Sequence, residues 1–287
     1  MLVKRSAAFV INFLTVCAFF LAGNASAQIM GTIKDVEQPV SFSGKVDWTT
    51  GVLTAVGIGA PPAQPANAAQ ARAMVERAAQ AVAYRNLLEA LKGVRVDSTA
   101  TVENCISSSE LIRAEVNGII QGATIMDKKY LSDGSVEVTL GMRLTGALTE
   151  ALLPKTLPTP ATGLTGTASP ASPGKLYTGL IVDARGLDVK PAIAPKILNE
   201  DGKEIYCSSC ISRDYAVREG MVSYFKDPVQ AQTNPRVADK PLMVKAIKLA
   251  GDNRVDTVIS NTDAAILHSA SENLSMLQKC RVIILVD

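Results

Sequence analysis

The chain has 287 residues, 47% of them hydrophobic and 20% charged, enough apolar side chain to bury a core and, at this length, two. Its formal charge of +2 traces to Lys4 and Arg5, and beyond residue 27 the basic and acidic side chains balance at 27 each. That balance offers no general basic face to a phosphate backbone, which argues against nucleic acid as a partner.

Residues 1–27 read as a secretory signal. Lys4 and Arg5 form the charged end, Ala7 to Gly23 the apolar stretch, and Ala25-Ser26-Ala27 a small-x-small site that predicts cleavage between Ala27 and Gln28. An uncleaved anchor is the alternative, since the segment is about long enough to begin a membrane span. Leu14-Thr15-Val16-Cys17 resembles a lipobox, but bulky Val16 stands where a lipoprotein signal carries a small residue. The expected location is the periplasm, with outer-membrane association or secretion left open.

Residues 28–152 are expected to form a first domain. Val40 to Val46 suggests one short strand, and Val52 to Gly59 a second that ends in glycines. Gly57-x-Gly59 is a weak echo of a dinucleotide loop, but the third glycine is missing and three prolines intervene before the next helix. A strand end lying under that helix is the simpler reading. Asn67 is a good N-cap for a long helix, with Gly93 at its end, and Met74, Ala78, Ala81, Tyr84, Leu88 and Leu91 are expected to form its apolar face. Val94 to Val102 predicts a strand, Leu111 to Asn117 a short helix ended by Gly118, and Ile119 to Leu131 a long strand. Asp133-Gly134 is a strong hairpin signal, and Val136 to Leu144 alternates as a half-buried strand should.

Residues 153–175 hold five prolines and three glycines among Ser and Thr, and mark a linker. In residues 176–287 strands are expected at Tyr177–Val182, Pro191–Leu198, Lys203–Tyr206, Leu242–Leu249, Val255–Ser260 and Arg281–Val286, the last central in its sheet. Helices are expected from Asp214 to Phe225 and from Asn261 or Thr262 through Leu277. Prolines 228, 235 and 241 frame a loop over 226–241 that is long enough to be functional. The fold class is therefore α+β: two small domains, each a mostly antiparallel sheet packed by helices, joined by a Pro/Thr/Ser/Gly linker.

Several runs resemble the Lpp-twenty lipoprotein family, whose fold also forms the N-terminal domain of the flagellar assembly protein FlgT. They are Gly57-Ile58-Gly59-Ala60, Ala71-Arg72-Ala73, Ala78 to Leu88, Gly93-Val94-Arg95-Val96, Gly122-Ala123 and Asp133 to Val138. The resemblance covers about residues 52–146, a third of the chain, and consists of scaffold residues. It implies a non-enzymatic envelope domain near the outer membrane that assembles with other proteins. The second half, through Tyr177 to Gly186, resembles the second domain of related bacterial envelope proteins.

Chemistry is sparse. His268 is the only histidine, so any histidine-based triad or metal centre must use it, and its place in a helix after Ile266-Leu267 favours a packed or surface role. Cys207-Ser208-Ser209-Cys210 has the spacing of a redox dithiol. It lacks the histidine of a haem site and the βαβ context of thioredoxins. Beyond residue 27 the chain carries Cys105, Cys207, Cys210 and Cys280. These allow three pairings, of which a local Cys207–Cys210 disulfide is the simplest. No catalytic residue, cofactor or metal ligand is expected. The leading reading is a periplasmic or outer-membrane-associated structural or interaction protein, a flagellar or envelope assembly accessory, whose partners are other envelope proteins or itself. The alternatives are a thiol-disulfide oxidoreductase using Cys207 and Cys210, and a small-ligand or glycan-binding module in a cleft between the domains.

Overall fold

The computed structural model describes residues 35–64, 67–153 and 175–287. The expected signal with Ala27, Gln28 and Cys17, and residues 154–174 of the expected linker, lie outside the described residues. Five strands make an antiparallel sheet in the order β1-β2-β3-β5-β4: β1 (Glu37–Ser41), β2 (Gly44–Asp47), β3 (Val52–Gly59), β4 (Thr124–Tyr130) and β5 (Val136–Arg143). The stretch expected to be one strand over Val40–Val46 is a tight β1–β2 hairpin. The β4–β5 turn forms as its sequence predicts: Gly134 takes φ +82°, and Asp133 accepts hydrogen bonds from the Ser135 amide and hydroxyl.

Helix α1 (Ala68–Lys92) lies across this sheet, with the Asn67 side chain accepting from the Gln70 amide at 2.8 Å. Its buried face is Val75, Ala79, Ala83, Leu87, Ala90 and Leu91, rotated from the expected one. Met74, Ala78 and Ala81 point to solvent. The reason is contact distance. A Cβ placed on Gly57 would lie 2.2 Å from the Ala83 nitrogen, and one on Gly59 2.3 Å from the Val75 carbonyl oxygen. Helix and strand backbones touch here, so alanines meet glycines and the longer Met74 is turned outward. Gly93 ends the helix with φ −74°, in the right-handed conformation.

Val94–Val102 is not a strand. Asp97 Oδ1 accepts from the Thr99 and Ala100 amides at 2.7 and 2.9 Å, folding the segment into a turn with one bridge between Arg95 and Thr101. Thr101 and Asn104 then make a reciprocal capping box for α2 (Val102–Ser108). Helix α3 (Glu110–Gln121) runs through Gly118 because Val116 and Ile120, one turn apart, are both buried. The strand expected from Ile119 therefore begins only at Thr124. Helix α4 (Ala147–Leu152) closes this half.

The second sheet has seven strands in the order β8-β7-β11-β10-β6-β12-β9. They are β6 (Gly179–Asp183), β7 (Ile197–Leu198), β8 (Glu204–Tyr206), β9 (Ser223–Phe225), β10 (Pro241–Ala250), β11 (Asp256–Ile259) and β12 (Val282–Leu285). The mixed α+β class holds, but this sheet is not mostly antiparallel. Pairings β6–β10, β6–β12, β9–β12 and β7–β11 are parallel, and only β10–β11 and β7–β8 are antiparallel. Parallel neighbours need crossovers, supplied by α5 (Arg213–Glu219), α6 (Pro228–Gln232), α7 (Asn261–His268) and α8 (Ser271–Gln278). Strands β6 and β12 are covered on both faces, as their unbroken apolar runs require. Leu180, Val182, Val282 and Ile284 enter the main core, while Ile181, Ile283 and Leu285 pack with Phe225, Ala231 and Val237 beneath α6.

The other departures are local. The helix expected over Asp214–Phe225 stops at Glu219, because Gly220 (φ +77°) turns the chain into β9. The strand expected over Pro191–Leu198 shrinks to Ile197–Leu198, the helix expected through Leu277 breaks into α7 and α8, and the 226–241 loop contains α6.

The two sheets share one apolar cluster. Trp48 meets the edge of Tyr224 with ring centroids 5.6 Å apart, Thr49 Oγ1 donates to the Tyr224 carbonyl, and the buried Tyr224 hydroxyl bonds both the amide and the carbonyl of Ala192. Backbone bonds add Ile193 N to Arg95 O, Ala194 N to Val96 O and Gly146 N to Val217 O.

Candidate functional site

Cys207 and Cys210 are joined as a disulfide with Cα atoms 5.2 Å apart, and Cys105 and Cys280 are free. Cys207 follows β8 and is buried; Ser208–Cys210 is a short 3-10 turn, and α5 starts only at Arg213. Neither sulfur therefore sits on the N-terminus of an α-helix, and the one expected to attack is covered. Glu204 brings a carboxylate within 4.8 Å of both sulfurs, but each sulfur is already committed to the disulfide. His268 ends α7. Its Nε2 is buried without a hydrogen-bond partner among the described residues, and burial, with Lys203 nearby, holds its pKa below the ordinary value.

Two surfaces stand out. Strand β4 is the edge of the first sheet, bonded only to β5. A bulge between Ile125 and Asp127 swings Met126 over Gly141, and Ile125, Met126 and Tyr130 are 47%, 59% and 50% exposed. Lys128 and Lys129, the charges that would guard this edge, are engaged: Lys128 Nζ is 2.7 Å from Glu76, and Lys129 Nζ is 3.2 Å from Glu137.

The other is a polar cleft of about 480 Å³ where the two sheets meet. Arg143 reaches it from the end of β5, Arg218 and Glu219 from the end of α5, Arg236 from the loop after α6, and Lys279 and Arg281 from the α8–β12 connection. Five cations thus face one carboxylate in a chain whose charges otherwise balance. Arg236 is largely buried and spends its donors on main chain, bonding the carbonyls of Gly220, Met221, Cys280 (2.6 Å) and Glu219; burial lowers its pKa from its usual value. A guanidinium remains charged under such a shift, so Arg236 ties three segments together while adding positive potential. Arg218 lies 4.9 Å over the Tyr215 ring, and Arg281 donates to the Thr178 carbonyl. Arg143, Arg218 and Lys279 make no ion pair among the described residues.

Nothing in the sequence marked this cleft. Its cations are spread from Arg143 to Arg281, and only Lys279-Cys280-Arg281 hinted at local positive charge. The 226–241 loop, flagged by its prolines, does reach the cleft through Asn234, Pro235 and Arg236.

The fold and this junction define an α+β protein whose C-terminal half is a helix-wrapped mixed sheet. That half, residues 179–287, matches the family model of the second domain of Treponema pallidum Tp0624. No curated protein matches the chain.

Proposed function

We propose that this chain is a non-enzymatic structural or interaction protein of the bacterial envelope, exported to the periplasm and acting near the outer membrane in contact with other envelope proteins or with itself. The flagellar or envelope-assembly role, and the Lpp-twenty likeness of residues 52–146, belong to this proposal. The observation that carries it is the open edge of β4. A strand bonded on one side, with exposed Ile125, Met126 and Tyr130 and with both lysines neutralised, has the chemistry that accepts a strand or apolar face from another chain. The buried Cys207 supports a stabilising disulfide over the dithiol reading.

The test is a photo-crosslinking residue placed at Met126 in the producing bacterium, with Lys203 on the far sheet as control. A discrete heavier adduct is expected at position 126 and not at 203, lost on Ile125→Asp and retained when Cys207 and Cys210 are both serine. Equal labelling at both positions, or none at 126, would overturn the edge as the working surface. Catalysed thiol-disulfide exchange that disappears with the two serines would favour the oxidoreductase.

A further inference from the structure

We propose that the cleft between the sheets binds the phosphate ester of a hydroxyl-bearing molecule, a sugar or glycerol phosphate. Its size falls in the range of small-ligand sites and is too small to enclose a folded partner. Cations converge on it from β5, α5, the loop after α6 and the α8–β12 connection, so the charge is assembled by tertiary structure and is not the wet face of a single helix. Arg143, Arg218 and Lys279 form no ion pair among the described residues. Keeping like charges together is unfavourable unless an anion joins them, and a doubly charged phosphate with three acceptor oxygens fits that need better than one carboxylate. Arg236, locked on the carbonyls of Glu219, Gly220, Met221 and Cys280, gives the floor a fixed charge that requires no reorganisation on binding. The remaining lining suits hydroxyl groups: Thr145, Ser223 and Asn234 donate or accept, and Glu219 accepts only. A bare inorganic anion would have no use for that carboxylate.

Such a phosphate is available as the monoester of a soluble sugar, with up to two charges, or, with one charge, as the diester headgroup of a phosphoglycerol lipid. Both are tested on the full chain. Glucose 6-phosphate and glucose are titrated calorimetrically, and flotation is measured with phosphatidylcholine vesicles with and without phosphatidylglycerol. The Arg143→Gln/Lys279→Gln double variant removes two exposed charges that hold no ion pair, and its thermal melt verifies that folding is unchanged. Saturable binding of glucose 6-phosphate but not glucose, weakened about tenfold or more in the double variant and by added salt, supports the site with a soluble ligand. Flotation that requires phosphatidylglycerol and is lost in the double variant supports it with a headgroup. Binding of neither, binding that the double variant leaves unchanged, or equal binding of glucose would overturn it. The β4 experiment is independent of all these outcomes, since that edge lies on a different strand and uses none of the cleft residues.

Discussion

Gly57 and Gly118 are both glycines beside or within helices, yet they answer to different forces. A methyl group at Gly57 would meet the α1 backbone at 2.2 Å, whereas one at Gly118, inside α3, meets nothing within 4 Å. Gly57→Ala is expected to destabilise by about 3 kcal/mol or more, because a backbone cannot yield as a side chain does. Gly118→Ala is expected to stabilise by about 0.5–1 kcal/mol through helix propensity. Urea midpoints of the two variants check the opposite signs. His268 carries the acid-side prediction. Its folded pKa lies below the ordinary 6.5, so the unfolded chain accepts a proton that the folded state resists. Its contribution is whole above 6.5 and is lost as pH falls through the folded value. Urea midpoints between about pH 7.5 and about pH 5 should fall in the parent and fall less in His268→Gln. On the alkaline side, burial pushes the Cys280 thiol up to about 11 from 9.0. Stability attributable to it is therefore complete below 9 and lost as pH rises toward 11, and Cys280 should resist alkylation near neutrality while the protein is folded.

Among the elements, the Cys207–Cys210 turn and the α1–β3 pair show how local chemistry serves packing. The disulfide closes a very short loop before α5, and replacing both cysteines by serine is expected to lower stability by about 2 kcal/mol on chain-entropy grounds. A reduced thermal midpoint with an unchanged far-ultraviolet spectrum is the expected observation. Helix α1 has weak amphipathicity because its buried face is largely alanine, so hydrophobic periodicity alone selects the larger Met74 and Ala78 face over the true one. Only the requirement that α1 pass within backbone contact of Gly57 and Gly59 fixes its rotation.

For the whole molecule, the shared core and the Trp48–Tyr224 contact join the two sheets across a gap of more than 170 residues in sequence. Trp48 belongs to the first sheet but reports on a residue of the second. Its fluorescence, far-ultraviolet ellipticity and proteolysis are therefore expected to lose native character in one coincident transition. Tyr224→Phe leaves the Ala192 amide and carbonyl without their shared buried hydroxyl, and is expected to lower that transition by about 1–3 kcal/mol. Two separated melts would instead make the sheets independent domains.

Much of the local structure was legible in the sequence because neighbouring residues carry it. The Asn67 cap, the Asp133-Gly134 turn, the alternation of β5 and the apolar run of β12 each depend on interactions within a few positions, and each forms as read. Val94–Val102 and Ile119–Gln121 depart from the strands expected there: in the first, the Asp97 side chain folds its own neighbours into a turn that outweighs their β-branched character, and in the second, burial of Val116 and Ile120 carries α3 onward. The parallel pairing of the second sheet, the inward face of α1 and the gathering of Arg143, Arg218, Arg236, Lys279 and Arg281 into one cleft were decided only by tertiary structure. Charge and hydrogen-bonding capacity are properties of residues, but a binding site requires their convergence, and positions more than a hundred residues apart carry no sign of it until the chain has folded.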